Sequence, residues 1–261
     1  MRQDLRRQGE GNHVHLVGEV RIVKFDTLES TNKYCEALNL DEVEDFTCYW
    51  ALEQTAGIGQ RGNHWHSTPG LNLTFSLVLK PTWLPADRQF HLTQALSLAI
   101  VDLLSTFHFP FSTLIKWPND IYVDSKKICG TLTSARLAGD HIATAICGIG
   151  LNVNETDFPD WLPNPTSLCL LTGKTYNLED TLHALLEHIE RRYNALRDGA
   201  DLNDEYLNLL LNRGLPAQYL YHDRQITATI EGVDPFGRLL LTASDGTPLR
   251  CNLKEISLLQ Q

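Results

Sequence analysis

The chain has 261 residues, of which 43% are apolar and 21% charged, as is usual for a globular protein with a well-filled core. Asp and Glu outnumber Lys and Arg by 32 to 22, which gives a formal net charge of −10. This balance argues against a nucleic-acid-binding surface, because phosphate contacts need a basic face. No apolar run approaches the roughly 18 residues of a membrane helix, and the N-terminus lacks the apolar stretch of a signal peptide. We therefore expect a cytoplasmic protein with no membrane contact.

The six cysteines are scattered, without any Cys-x-x-Cys pair, and we expect them to be reduced and mostly buried. Two pairs of histidines lie close in sequence, His64 with His66 and His183 with His188, but neither has a Cys or carboxylate at zinc spacing. The sequence therefore predicts no metal site built from these side chains.

The first 17 residues are polar and aperiodic, which predicts a flexible leader. A strand follows at 22–25, and Ser30 is a good N-cap for the next helix. Two more strands are predicted at 47–52 and 71–79, the second from its alternation of apolar and polar residues.

Pro85 opens the clearest predicted helix, whose apolar residues recur at helical spacing up to Leu104. Strands are predicted at 130–136 and 141–151, a helix from an Asn177 cap, and another helix over 203–211. Helices beside a continuous series of strands predict an α+β domain with a mixed or antiparallel sheet.

The pattern changes after Gly214. Short β segments at 225–233, 239–242 and 249–253 are separated by Asp-Pro-Phe-Gly and Ser-Asp-Gly turns, with no predicted helix. A stretch of this kind predicts a small β-barrel.

The most informative segment is the run Lys-Trp-Pro-Asn-Asp at 116–120 and the tight hairpin predicted at 121–128. Pro118 restricts the backbone on both sides, and Asn119 and Asp120 favour turns, so a stiff corner is expected. Lysines on the hairpin would suit an anion such as a carboxylate or phosphate. Taken alone, Lys126 and Lys127 could equally serve only to solubilise the hairpin.

A second segment, residues 53–65, holds glycines at 57, 59 and 62. The spacing resembles a dinucleotide fingerprint, but Trp65 and another strand follow instead of a helix, which argues against a Rossmann site. Glycines let the backbone approach a ligand, and Arg61 adds a positive fork, so the loop could close over a phosphate-bearing ligand. A mere connection between two strands is the alternative.

Taken together and in order, the motifs resemble those of the biotin–protein ligases, also called biotin–acetyl-CoA-carboxylase ligases. The resemblance covers about residues 20 to 259 and rests on the loop at 54–65, Lys116–Asp120 with Lys127 and Gly130, and four shorter motifs, Ser30-Thr-Asn32, Gly148-Ile-Gly-Leu-Asn152, Thr166-Ser167, and a C-terminal Gly232-Val-Asp with Lys254-Glu-Ile-Ser257.

The resemblance implies a catalytic domain of the biotinyl/lipoyl ligase type, similar to class II aminoacyl-tRNA synthetases, over 18–214. It implies an SH3-like barrel over 215–261. The leader is too short for an N-terminal DNA-binding domain, which makes the chain similar to the monofunctional ligases. The implied protein partner is a biotin carboxyl carrier protein, with no nucleic acid, and family members often form homodimers.

The implied reaction joins biotin and MgATP into biotinoyl-5′-adenylate, which a carrier lysine then attacks. The catalytic residues implied are Lys127, Arg61 and Asp120, and Mg²⁺ would enter with ATP, near Asp120 if any residue holds it. The resemblance assigns biotin binding to Ser30, Thr31, Asn32, Gln54, Gly57, Ile58, Gly59, Gln60, Trp65, Lys127, Gly130, Thr166 and Ser167. It assigns ATP binding to Gln60, Arg61, Trp65, Asn119, Lys127 and Asn152.

The chain departs from the family pattern in the glycine-rich loop, where Ile58 replaces the usual first arginine and Gln60 the second. Isoleucine cannot neutralise a phosphate, so Arg61 and Lys127 would carry more of the anion. Ser134 stands where a glutamate is common, which weakens the case for a metal ligand on that strand.

Two alternatives stay open at this point. A lipoate–protein ligase or octanoyltransferase shares the implied fold, and Cys129 near Lys127 would be its candidate nucleophile. A biotin-binding protein without catalysis is the other, and Ile58 is the residue that favours it.

Overall fold

The computed structural model describes residues 13–17 and 20–259, with the side chains of 13–17 and of Arg61 excepted. Thirteen strands and five helices lie in the described ranges. The strands of the N-terminal part are β1 (His13–Val17), β2 (Val20–Leu28), β3 (Thr47–Gln54), β4 (Leu73–Leu79), β5 (Thr113–Lys116), β6 (Asp120–Val123), β7 (Lys126–Ala138) and β8 (His141–Leu151). The helices are α1 (Thr31–Glu36), α2 (Phe90–Ser105), α3 (Leu168–Thr172), α4 (Leu178–Arg197) and α5 (Asn203–Asn208).

These eight strands form one sheet in the order β1-β2-β3-β4-β8-β7-β6-β5. Only β2 and β3 run parallel among the described pairs, and α1 lies on the crossover that such a pair requires. Every other neighbouring pair is antiparallel. The mixed sheet with few helices confirms the predicted class in its coarse form.

Five further strands form a separate antiparallel sheet in the order β12-β11-β10-β9-β13. They are β9 (Pro216–Tyr221), β10 (Arg224–Val233), β11 (Leu239–Ala243), β12 (Pro248–Cys251) and β13 (Ile256–Leu258). The change of pattern after Gly214 therefore marks a real change from helices to short strands, with β12 and β13 at the two edges of the sheet.

The main core lies between the large sheet and the pair of helices α2 and α4. Strand β4 shows why: all seven of its residues are buried, so both faces of the sheet are covered. Leu73, Phe75, Leu77 and Leu79 join the main core, while Val78 on the opposite face belongs to a second cluster with α1. The polar alternation of β4 thus marks a buried polar face rather than a solvent face.

Several predicted boundaries were wrong for identifiable reasons. Residues 13–17 of the predicted leader form β1 and pair with β2, and the remaining leader residues lie outside the described ones. The segment after Pro85 begins as a 3₁₀ turn, and α2 starts only at Phe90. Helix α5 stops at Asn208 because the next residues pair with β5, where the N–H of Ile115 donates to the carbonyl of Leu209 at 2.8 Å.

No helix among the described residues is long and apolar enough to cross a bilayer.

Candidate active site

The corner at 116–120 closes the β5–β6 hairpin, with Lys116 and Asp120 as cross-strand partners and a cis peptide bond between Trp117 and Pro118. Two partly buried hydrogen bonds join it to other parts of the chain. The hydroxyl of Tyr206 donates to the carbonyl of Pro118 at 2.7 Å, and the indole Nε1–H of Trp117 donates to the carbonyl of Gly237 at 3.0 Å. The predicted stiff corner is therefore fixed by α5 and by the C-terminal sheet.

An ion pair follows directly from this corner. Asp120 begins β6, Lys127 lies on the neighbouring β7, and Lys127 Nζ lies 2.7 Å from Asp120 Oδ1. Both side chains are less than one-third exposed. Gly130 keeps the space beside the pair open, since a Cβ there would lie 3.2 Å from Asp120 Oδ1 and from Lys127 Nζ. The predicted hairpin is confirmed, and Asp124 and Ser125 both take positive φ, as a two-residue turn of type I′ requires.

The backbone of Lys127 is fixed from the other side. Its N–H donates to the carbonyl of Asn164 at 2.7 Å, and its carbonyl accepts from the N–H of Thr166 at 2.9 Å. The ammonium group of Lys127 is thus positioned by Asp120 on β6 and, through the backbone, by residues 164–166, which are distant in sequence.

The glycine-rich loop forms a closed hairpin. The N–H of Gly59 donates to the carbonyl of Asn63 at 2.7 Å, and the N–H of Trp65 donates to that of Gly57 at 3.0 Å. Ile58 and His64 face each other as a bridge. The side chain of Arg61, a predicted catalytic residue, lies outside the described part of the chain, although its backbone belongs to the 3₁₀ turn Gln60–Gly62.

Trp65 lies against the sheet beside the ion pair. Its ring centroid is 5.6 Å from Lys127 Nζ, and a Cβ at Gly150 would come within 2.2 Å of the indole. Gly130 and Gly150 are cross-strand partners, so together they form the flat seat of the indole. No hydrogen-bond partner of the buried Trp65 Nε1–H is found among the described residues.

A polar cluster closes the other end of the site, at the start of α1. Gln54 Oε1 accepts from the N–H of Thr31 at 2.7 Å and lies 3.2 Å from its hydroxyl. Ser76 Oγ on β4 is within hydrogen-bond distance of Thr31 Oγ1 and Asn32 Oδ1. Asn32 lies directly on Gly148, where a Cβ would be 2.2 Å from its Oδ1. Ser30 occupies the N-cap position as predicted, but its side chain makes no capping hydrogen bond.

These parts surround one cavity of about 290 Å³. Most of the predicted site residues line it, namely Ser30, Thr31, Asn32, Gln54, Ile58, Gly59, Gln60, Trp65, Asp120, Lys127 and Gly130. Asp120 is the only carboxylate among its described lining residues. The arrangement offers fixed hydrogen-bonding groups at one end, an indole in the middle and an ammonium group with a carboxylate at the other end.

Five predicted residues lie behind the lining instead. Asn119 donates to the carbonyl of Thr131, and Asn152 donates to that of Thr166 at 2.9 Å. Ser167 caps α3 by accepting from the N–H of Leu170 at 3.1 Å. Gly57 and Thr166 fix the neighbours Trp65 and Lys127 through backbone hydrogen bonds. In the structure four of these residues support other residues of the site, whereas Ser167 supports the start of α3.

Sequence reasoning missed other residues of the site. Ser76 could have been found from the polar residues that alternate along β4, once their burial was considered. His64 and Asn63 line the cavity within the loop already singled out. Tyr219, Leu239 and Ser257 also line it. They come from the C-terminal sheet, and no local sequence pattern predicts which face of that sheet packs on the site.

The burial of Cys129 argues against a reactive thiol in the site. Burial raises the pKa of the Cys129 thiol well above its usual range, although Lys127 opposes that shift. A nucleophilic cysteine needs a depressed pKa and exposure. In the described part of the chain, no group of three or more His, Cys, Asp and Glu side chains is arranged to hold a metal ion.

Known proteins resemble this chain in sequence and in fold. The biotin/lipoate A/B protein ligase family matches residues 24–152. The biotin–[acetyl-CoA-carboxylase] ligase of Paracoccus denitrificans is 30% identical over 206 residues, which cover 76% of this chain and 85% of that protein. The chain belongs to the biotin protein ligase family.

Other members of the biotin protein ligase family show the extent of the likeness. The bifunctional ligase/repressor BirA of Bacillus subtilis is 34% identical over 175 residues, covering 66% of this chain. The chain spans about half of that longer relative, 53% of its length. A structure of biotin protein ligase from Aquifex aeolicus in complex with biotin and ATP superimposes with a TM-score of 0.76 and 27% identity, over 92% of this chain and 99% of that one.

Proposed function

We propose that this chain is an ATP-dependent biotin–protein ligase. In the first step a biotin carboxylate oxygen attacks the α-phosphorus of ATP, the bond to the β-phosphate breaks, and pyrophosphate leaves. In the second step the amine of a carrier lysine attacks the acyl carbon, and AMP leaves. The observation that carries the proposal is the Lys127–Asp120 pair beside the Trp65 seat, in one cavity with a polar hydrogen-bonding cluster.

Each part of the cavity has a place in this reaction. The ureido ring of biotin needs fixed polar partners in a pocket, which Thr31, Asn32 and Gln54 would provide. Lys127 would neutralise the two anions that must meet, the carboxylate and the α-phosphate. The loop with Trp65 would exclude water, so that an amine rather than hydroxide receives the acyl group.

Mg²⁺ would enter as part of the nucleotide substrate. This ion is usually bound through one or two carboxylates and the substrate phosphates, and the single carboxylate Asp120 fits that pattern. With Ile58 and Gln60 in the loop, Lys127 and Arg61 would carry more of the positive charge toward the phosphates.

The finer features of the sequence-based prediction belong to the same proposal. These are a class II synthetase-like catalytic domain over 18–214, an SH3-like barrel over 215–261, a biotin carboxyl carrier protein as partner, and action in the cytoplasm. A homodimer belongs to it as well. Strands of two copies could pair at β1, the end strand of the large sheet among the described residues, since β5 at the other end is paired with residues 209–211.

Lys127→Ala tests the central assignment. We expect pyrophosphate release in the presence of biotin and ATP to fall below detection, because the ammonium group of Lys127 lies in the cavity beside Asp120, where it would neutralise the two anions that must meet. Lys126→Ala is the matched control, since Lys126 is the exposed neighbour on the same strand, and it should keep wild-type turnover.

Near-normal turnover of Lys127→Ala would contradict the role of that lysine. Transfer assays of the wild-type chain with biotin, lipoate and octanoate, each with a carrier domain, separate the ligase from its alternatives. Transfer of an octanoyl group from a thioester donor without ATP, with the thiol as leaving group, would indicate a transferase, and biotin binding without transfer would indicate a binding protein. The buried Cys129 disfavours the transferase.

A further inference from the structure

The turn Asp234–Gly237 of the C-terminal sheet reaches the Lys116–Asp120 corner. It joins β10 to β11, and its residue Gly237 accepts the indole hydrogen bond of Trp117 at 3.0 Å. Gly237 also lies so close to Phe90 that a Cβ there would come within 2.4 Å of the ring. Phe90 in turn packs edge-on against Tyr206, with ring centroids 5.5 Å apart, and Tyr206 holds the carbonyl of Pro118. The turn therefore supports the corner directly through Trp117 and reaches its other support, Tyr206, through Phe90.

Asp234 fixes the conformation of this turn. Its carboxylate accepts from the N–H groups of Phe236 and Arg238, each at 3.0 Å, and from Arg238 Nε at 2.7 Å. Its own backbone N–H donates to the carbonyl of Arg238 at 2.9 Å, and its carbonyl accepts from Gly237 at 2.8 Å. Asp234 is 8% exposed, so most of its surface is shielded from water. The Gly237 carbonyl is consequently held in one direction.

The Lys116–Asp120 corner connects the fixed Gly237 carbonyl to the Lys127–Asp120 pair. Trp117 and Pro118 precede Asp120 in the chain, and Asp120 is the residue that positions Lys127. An error of about 1 Å in the placement of such groups can cost on the order of a hundredfold in rate. We propose that Asp234 and Trp117 are positioning residues, through which the C-terminal sheet sets the geometry of the Lys127–Asp120 pair for adenylate formation.

This inference rests on the proposed function, and three variants of the full chain test it. Trp117→Phe removes the indole donor but keeps an aromatic ring. Asp234→Asn removes the charge that orders the turn. Asp245→Asn is the matched control, because Asp245 also accepts a turn N–H, from Thr247 at 2.9 Å, and lies in the exposed turn between β11 and β12.

Trp117→Phe and Asp234→Asn should each lower kcat for pyrophosphate release by about tenfold. The KM for biotin should change less than twofold, because Thr31 and Gln54 are held by a hydrogen bond to each other, and Trp117→Phe keeps an aromatic ring where Trp117 lines the cavity. Since both variants remove the same link, the double variant should lose little more than either single one. Asp245→Asn should keep the wild-type kcat.

A second measurement does not depend on activity. The five tryptophans give five indole N–H resonances, and Trp117→Phe identifies the relevant one. This resonance should shift in Asp234→Asn and stay in place in Asp245→Asn. Absence of adenylate formation by the wild-type chain would overturn the proposed function, while the indole resonance would still test the link.

The inference would be overturned by a wild-type kcat in Trp117→Phe, by losses that multiply in the double variant, or by an unmoved indole resonance in Asp234→Asn. Should Asp234→Asn fail to fold, Trp117→Phe still tests the inference. A lower kcat with an unchanged biotin KM supports a positioning role of Trp117, and a wild-type kcat contradicts it.

Discussion

Cross-strand glycines shape the centre of the site at the scale of single residues. Gly130 and Gly150 pair across β7 and β8, and Trp65 lies over both. A Cβ at Gly150 would occupy the space that the indole now fills, and a Cβ at Gly130 would lie in tight contact, at 3.2 Å, with the indole and with the Lys127–Asp120 pair. Position 150 requires glycine because of this close approach, since neither backbone has a positive φ.

Gly150→Ala should therefore weaken biotin binding. The new Cβ would lie 2.2 Å from Trp65, so the indole must leave its seat, and we expect the Kd for biotin to rise about tenfold, or about 1.4 kcal/mol. Isothermal titration measures this directly. Gly232→Ala is the control, because its Cβ would meet only the methyl groups of Leu207, at 3.9 Å or more. An unchanged Kd in Gly150→Ala would contradict the role of the Trp65 seat.

Charged side chains connect the helices at the scale of elements. Arg192 on α4 forms a bidentate pair with Asp102 on α2, at 2.7 and 2.8 Å, and also reaches Glu205 on α5 at 2.6 Å. Burial favours the neutral form of Asp102, but the hydrogen bonds from Arg192 and Arg191 outweigh this and lower its pKa below the ordinary value. One guanidinium thus links the three helices that cover the main core.

Asp102→Asn should lower the free energy of unfolding by about 2 kcal/mol at pH 7, as expected for a partly buried pair. Because the folded-state pKa of Asp102 is depressed, its contribution is complete above the unfolded value of about 4 and is lost as the pH falls through the folded-state pKa. Urea denaturation of both proteins at pH 7 and pH 3 measures this. The difference between them should shrink at pH 3, and a constant difference would contradict the prediction.

Helices α2 and α4 could be predicted from sequence because their apolar residues repeat at helical spacing and face one core. The end of α5 could not, because it depends on a backbone pairing with Ile115, nearly a hundred residues away. The same distinction holds in the site. Lys127, Asp120 and Gln54 were identified by local motifs, whereas the supporting roles of Asn119 and Asn152 depend on contacts with residues 12 and 14 positions further along the chain.

At the scale of the whole molecule, the two sheets share one core. Tyr219, Ile230 and Leu241 of the C-terminal sheet belong to the same buried cluster as Phe75 and Leu104 of the large part. The boundary at Gly214, visible in the sequence as a change of pattern, is therefore not a boundary between separate cores. Sequence could predict where the pattern changes, but not how the two parts pack.

A shared core predicts one cooperative unfolding transition. Removing the C-terminal sheet from the rest would expose this core, so the two parts should unfold together. Differential scanning calorimetry should give equal calorimetric and van't Hoff enthalpies, and tryptophan fluorescence, which reports only on residues before Gly214, should follow the same curve. Two resolved transitions would show that the sheets are independent.

The hairpin formed by the glycine-rich loop has a consequence for the thermodynamics of ligand binding. Its internal hydrogen bonds, from Gly59 to Asn63 and from Trp65 to Gly57, already restrict the backbone of the segment. Fixing a residue costs about 1–2 kcal/mol of conformational entropy, and here much of that cost falls on folding instead of binding. Preorganisation of this kind leaves more of the contact energy available as affinity. The loop can therefore meet its ligand as a preformed flap, with a smaller entropic penalty than a loop that orders only around the bound molecule.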